Sequence, residues 1–79
     1  MRQLILLTRN GCHLCETMKS VVKSVQRDYP VELTEIDITT RSDLEHRYRN
    51  EVPVLLLDKT VVAKYRVSAS QLLAKLTST

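Results

Sequence analysis

The chain has almost no punctuation. Of its 79 residues one is glycine, Gly11, and two are prolines, Pro30 and Pro53. That excludes a Gly- or Pro-rich linker and points to regular elements joined by short turns. Tryptophan and phenylalanine are absent, and the three tyrosines are Tyr29, Tyr48 and Tyr65. The core must therefore be aliphatic. No apolar run approaches the roughly 20 residues of a membrane span, or the roughly 7–15 of a secretory h-region. The expectation is a cytoplasmic protein that does not engage a membrane. Charge of one sign is also scarce: 12 Lys and Arg stand against 9 Asp and Glu, a net +3. The cations Arg9, Lys19, Lys23, Arg41, Arg47, Arg49, Lys64 and Arg66 are scattered, without interleaved aromatics. This argues against nucleic-acid binding and for an ordinary solvated surface. A chain this short makes one domain, residues 1–79, near the lower size limit for a single core.

Cysteine is scarce too, and its placement is the most informative feature present. The only pair is Cys12-His13-Leu14-Cys15, after the apolar run Leu4-Ile5-Leu6-Leu7 and at the start of a helical pattern. In a reducing compartment a close pair is more often redox-active or metal-binding than structural. A two-residue spacer at a strand-to-helix junction lets two sulfurs alternate between dithiol and disulfide. Cys12, at the first turn of its helix, meets free N–H groups and a partial positive charge that favour thiolate over thiol. It is the expected nucleophile, and Cys15, one turn on and more shielded, the expected resolving thiol. His13 and Arg9 are candidates to add to this stabilisation and to contact substrate.

Three other uses of the pair are weaker. A structural crosslink over so short a loop would contribute about 2 kcal/mol at most. A structural zinc site needs four ligands, and only Cys12, Cys15, His13 and His46 are available, with His13 pointing aside on the helix. No metal site is expected. Covalent haem needs His directly after the second cysteine, where Glu16 stands.

Hydrophobic spacing supplies the rest. Leu4–Leu7 is apolar without alternation, as in a strand covered on both faces. A helix follows from about Cys12, with Leu14, Met18, Val21, Val22 and Val25 on one stripe; Tyr29-Pro30 ends it. Val31–Ile38 alternates but slips phase, which predicts a bulge near Thr34-Glu35, and its acids suggest a sheet edge. Ser42-Asp43-Leu44-Glu45 reads as a capping box opening a short helix to about Arg49, closed by Asn50 in a left-handed turn. Pro53 precedes the buried strand Val54–Leu57. A tight turn at Asp58-Lys59 leads to a strand over Thr60–Arg66. Ser68-Ala69-Ser70-Gln71 is a second capping box, starting a helix with Leu72, Leu73 and Leu76 inward. The prediction is an α/β chain of order β-α-β-α-β-β-α, with a four-stranded mixed sheet covered by helices on both faces.

That order, the Cys-x-x-Cys at the first strand–helix junction and Val52-Pro53 before the third strand resemble the thioredoxin fold over nearly the whole chain. The short length resembles its glutaredoxin branch, and "GCHLCE" with "VPVLLLD" resembles the small glutaredoxin-like domain proteins. The resemblance implies a thiol–disulfide oxidoreductase or electron carrier. It implies a cis Pro53 facing the cysteines, and a Val52 main chain free to pair with an extended substrate segment as an added strand. Without it, a trans proline that merely begins a strand is the simpler expectation. It further implies a monomer with no tightly bound cofactor and glutathione as a candidate co-substrate. Its partner would be a disulfide-containing protein or a glutathione mixed disulfide.

The sequence also departs from the pattern. Gly11 stands where thioredoxins carry Trp, and Leu4–Leu7 where they keep a buried acid. His13 and Leu14 stand where glutaredoxins place Pro and an aromatic, and Glu51 replaces Thr before Val52-Pro53. The stretch Tyr65-Arg66-Val67-Ser68-Ala69-Ser70 lacks the Gly-Gly with which glutaredoxins hold the glutathione glutamyl group. Two alternatives stay open on the same fold. One is a glutathione-linked iron–sulfur carrier with Cys12 as protein ligand. The other is a binding module that uses the pair as a redox sensor.

Overall fold

The computed structural model describes residues 2–78. The elements are β1 (Gln3–Thr8), α1 (His13–Asp28), β2 (Glu32–Asp37), a 3-10 turn (Ile38–Thr40), α2 (Ser42–Tyr48), β3 (Val54–Leu57), β4 (Thr60–Lys64) and α3 (Ala69–Thr77). They form one mixed sheet in the order β2-β1-β3-β4. β1 runs parallel to β2, from Gln3 opposite Glu32 to Thr8 opposite Asp37. It runs antiparallel to β3, with Leu4 opposite Leu57 and Leu7 opposite Val54.

The unbroken apolar run of β1 is explained by helices on both faces. Leu4 and Leu6 join Met18, Val22, Val25, Leu55, Leu57, Leu72 and Leu76 in one buried cluster under α1 and α3. Leu7 joins Ile38, Tyr48 and Val54 in a second, smaller cluster under α2. The α/β architecture and the element order therefore match the prediction. Tyr48, 6% exposed, is the one aromatic side chain in an otherwise aliphatic interior.

Several local expectations are corrected. β2 pairs with β1 without a register break, so there is no bulge at Thr34-Glu35. The phase slip has another cause: Leu33 packs on the α1/α3 cluster and Ile36 on the α2 cluster, so the strand's apolar side changes face midway. Its place at the sheet edge is as expected. The bulge lies between Leu55 and Leu56 of β3, opposite Ala63 and Val61, and leaves Val62 as the extra residue of β4. Neighbouring Val62 and Ala63 can then both pack on the first cluster, which strict alternation forbids.

Ser42 is the first residue inside α2 and not its cap. Arg41 caps it without a side-chain hydrogen bond. Asn50 is not left-handed; the non-glycine residues with positive φ are Asp58, Lys59 and Tyr65. Leu73 points outward, 40% exposed, because the inward stripe of α3 is Leu72 and Leu76. β4 stops at Lys64. On α1, Leu14 and Val21 are only half-buried, and the stripe is Cys15, Met18, Val22 and Val25. The second capping box is complete: the Ser68 hydroxyl accepts from the Gln71 N–H at 3.1 Å, and the Ser68 N–H donates to the Gln71 amide oxygen at 3.0 Å. No helix among the described residues is long and apolar enough to cross a membrane.

Candidate functional site

The loop after β1 is built to start a helix at a cysteine. Thr8, nearly buried, donates its hydroxyl to the Ile36 carbonyl at 3.4 Å and fixes the strand's end. Gly11 then turns the chain at φ +76°, a left-handed conformation that L side chains rarely adopt. A Cβ there would meet nothing within 4 Å, so backbone freedom and not space demands the glycine. The turn closes through the Cys12 N–H, which donates to the Arg9 carbonyl at 3.3 Å.

Cys12 is the N-cap of α1, in extended geometry. Its Sγ accepts the N–H of Cys15 at 3.1 Å, the bond that a Ser or Asp cap would ordinarily take. Cys15 lies on the inward stripe of α1 and is 3% exposed, whereas Cys12 is only half-buried. The two form a disulfide across Cα atoms 5.2 Å apart. One sulfur thus sits at the rim of the molecule and its partner in the core, as expected from the spacing.

The disulfide opens on a cleft of about 580 Å³ between the β1–α1 loop and the end of β2. Of the residues proposed from sequence, it brings together Cys12, Cys15, Arg9 and His13. It also contains three carboxylates that sequence inspection missed, Glu16, Glu35 and Asp37. Parallel register places Glu35 and Asp37 beside Leu6 and Thr8; strand pairing of that kind cannot be read from composition. The Thr39 hydroxyl, and after it the Thr39 N–H, holds the Asp37 carboxyl below its usual value, with a smaller contribution from Arg9. Lys19 ion-pairs with Glu35 at 3.1 Å, and that hydrogen bond raises the lysine.

Arg9, a candidate substrate contact, is engaged within the protein. Arg9 donates Nη1 to the Arg49 carbonyl at 2.8 Å and approaches Glu45 at 3.9 Å. The Arg47 guanidinium lies 5.3 Å from the Tyr48 ring centroid. Among the described residues no cluster of three His, Cys, Asp or Glu side chains is arranged to hold a metal.

The Val52–Pro53 peptide is cis. Pro53 is buried and Val52 half-buried, and neither lines the disulfide cleft. Both nevertheless lie at the same end of the sheet, since Val54 pairs with Leu7 near the end of β1. The Pro53 carbonyl accepts the N–H of Tyr65 at 2.8 Å. Tyr65, at φ +67°, lines a second cleft of about 400 Å³ with Leu14, Met18 and Val67. His13 belongs to both clefts. Nothing in the sequence marks Tyr65, because a left-handed tyrosine carries no signal of its own.

Comparison with known proteins agrees with this architecture. Residues 3–77 match the family described as Glutaredoxin-like domain (DUF836). A curated relative from Dictyostelium discoideum, named as a glutaredoxin-like protein, is 31% identical over 71 residues; the match covers 82% of this chain and 66% of that protein. The chain thus spans just under two thirds of that relative. Among solved structures, Ne2328 of Nitrosomonas europaea superposes with a TM-score of 0.73 at 27% identity, covering 94% of this chain and 89% of that one. A protein from X. campestris gives 0.73 at 24%, covering 92% and 93%. Desulfothioredoxin from Desulfovibrio vulgaris Hildenborough gives 0.73 at 23%, covering 99% and 81%. The chain belongs to the glutaredoxin-like domain family and has the thioredoxin fold.

Proposed function

We propose that this glutaredoxin-like domain is a thiol–disulfide oxidoreductase that cycles Cys12 and Cys15 between dithiol and disulfide. The observation that carries this proposal is the asymmetry of the pair. Cys12 lies at the rim with its sulfur hydrogen-bonded to the Cys15 N–H, and Cys15 lies in the core within bonding reach. The same N–H, with the start of α1 behind it, would stabilise a Cys12 thiolate.

In the reduced protein the Cys12 thiolate attacks one sulfur of a substrate disulfide. A new S–S bond forms, the substrate bond breaks, and the departing thiolate takes a proton from solvent. Cys15 then gives up its proton and attacks the Cys12 sulfur. The second substrate thiolate leaves, and the internal disulfide remains. Two electrons have passed to the substrate, and an external dithiol or two monothiols return them. Val52, beside the cis Pro53, supplies main chain on which an extended substrate segment can pair.

A disulfide-containing polypeptide is the favoured substrate over a glutathione mixed disulfide. Tyr65 to Ser70 lacks the Gly-Gly grip, and the cleft beside Cys12 sets Glu16, Asp37 and the Lys19-paired Glu35 against Arg9, an acidic balance that disfavours a ligand carrying carboxylates. Action as a monomer in the cytoplasm completes the proposal.

The test is alkylation of the reduced protein at pH 6.5, with trapping by Cys15→Ser. Cys12 should label at least about ten-fold faster than Cys15, in line with a thiolate favoured at a helix start. The Cys15→Ser protein should accumulate mixed disulfides with an oxidised polypeptide. Equal, slow labelling of both thiols together with no trapped adduct would sink the proposal. Insulin reduction run beside a glutathione-coupled assay then decides between the two substrate classes.

A further inference from the structure

Arg9 touches both halves of the site, the cysteine loop and the Arg49–Pro53 connection, through separate groups. Its carbonyl accepts the Cys12 N–H and so closes the turn that presents the sulfur. Its guanidinium reaches across to the Arg49 carbonyl at 2.8 Å, just past the end of α2. Arg49 is followed at once by Asn50-Glu51 and the cis Val52–Pro53 peptide. The other contacts of that connection near its start run to α2, β4 and the residue after β4. The Tyr65 hydroxyl, just after β4, donates to the Asn50 carbonyl at 3.4 Å. The Glu51 N–H bonds back to Tyr48 and the Glu51 carboxylate pairs with Lys64, contacts that hold the connection to α2 and β4 but not to the cysteine loop. The carboxylates that face Arg9 are Glu45 at 3.9 Å and, more weakly, Asp37. Its charge is thus balanced inside the protein.

We propose that Arg9 is a positioning residue: it sets the spacing between the Cys12 sulfur and the Val52 main chain, and does not serve as a receptor for a substrate carboxylate. The inference rests on the proposed oxidoreductase activity for its kinetic consequence and on geometry alone for its structural one. A polypeptide must place its disulfide at Cys12 while its flanking chain pairs at Val52, so it senses that spacing. A small disulfide meets only the sulfur. A misplacement of about 1 Å can cost a reaction up to 10²-fold.

The experiment compares Arg9→Ala, Arg9→Lys and Arg2→Ala with the parent protein on two substrates, insulin and hydroxyethyl disulfide. Amide hydrogen exchange is followed at Glu51, whose N–H bonds to the Tyr48 carbonyl, and at Tyr65, whose N–H bonds to the Pro53 carbonyl. Arg9→Ala should lose about ten-fold or more in kcat/KM for insulin, mostly through KM, and less than about two-fold for the small disulfide. Exchange at Glu51 and Tyr65 should quicken while β3 stays protected. Arg9→Lys, which can still donate one bond to the Arg49 carbonyl, should recover most of the loss. Arg2→Ala, at the far end of β1, should change neither substrate.

Equal losses on both substrates would show a merely structural role and overturn the proposal. So would an insulin defect that disappears at about 1 M salt, where charge recognition is screened within about 3 Å, since that is the behaviour of a carboxylate receptor. If the parent protein reduces neither substrate, the proposed function fails, and the exchange rates at Glu51 and Tyr65 alone decide the role of Arg9: unchanged rates overturn it.

Discussion

β1 is bracketed by two arginines that make the same bond at opposite ends of the molecule. Arg2, just before the strand, donates Nη1 to the Leu76 carbonyl at the end of α3, at 2.7 Å. Arg9, just after it, donates Nη1 to the Arg49 carbonyl at the end of α2, at 2.8 Å. The surroundings differ. Around Arg2 everything converges: the Tyr29 hydroxyl donates to the same Leu76 carbonyl at 3.2 Å, and Asp58 pairs with the guanidinium at 2.9 Å. Beneath lie fully buried Leu4, Leu72 and Leu76. Around Arg9 the chain opens into a cleft, carries a left-handed glycine, and exposes a sulfur. One kind of hydrogen bond fastens a closed end and spaces an open one. The α1/α3 layer packs the closed end, while the loop that leaves the other end of β1 and the start of α1 carry the reactive pair.

Three experiments sharpen or break that contrast. The largest effect should come from Leu76→Ala, which empties part of the closed end. We expect a loss of about 2–5 kcal/mol in urea unfolding, with the alkylation rate of Cys12 in the folded protein unchanged. A large change in that rate would show that the two ends are not separable. Next are the left-handed positions. Gly11→Ala forces a Cβ into φ +76° and should lose about 1–2 kcal/mol. Lys59→Gly, in the β3–β4 turn at φ +73°, should gain up to about 1 kcal/mol. Both are read from thermal or urea midpoints, and effects of the same sign would contradict a backbone origin.

The smallest effect is acid sensitivity at the closed end. The Arg2 guanidinium, and then the Gln3 N–H, holds the Asp58 carboxyl below its ordinary value of 3.8. A carboxyl depressed in the folded state stabilises the fold above its unfolded value, and the contribution fades as pH falls through the folded value. The parent protein should therefore exceed Asp58→Asn in stability at pH 7, with the gap closing below about pH 4. A gap that stays constant down to pH 2.5 would remove Asp58 from the linkage.

Much of this molecule was legible in its sequence because its periodicities are strong. The run Leu4–Leu7, the spacing of Met18, Val22 and Val25, and the Ser68/Gln71 box each specify an element from neighbouring residues alone. Cys12 and Cys15 were legible as a pair for the same reason. What escaped notice depends on partners distant in the chain. The phase slip in β2 looked like a bulge because no local pattern reveals a strand that changes layers. Ser42 looked like a cap because Ser-x-x-Glu is also tolerated one position inside a helix. The carboxylates of the cleft become visible only through the β1–β2 register, and the engagement of Arg9 only through a contact spanning 40 positions.

The extra residue in β4 has a consequence for how this fold tolerates change. Upstream of Val62 the strand points its side chains in one frame, and downstream in the opposite one. Removing the single residue between Val61 and Ala63 would therefore restore a regular ladder with the same cross-strand partners. Ala63 would stay on the interior face opposite Leu55, Lys64 would stay opposite Val54, and only the Val62 side chain would be lost from the first cluster. A one-residue gap at Val62 is thus the length change this hairpin can absorb, whereas the same gap elsewhere in β4 would turn the following side chains to the wrong face.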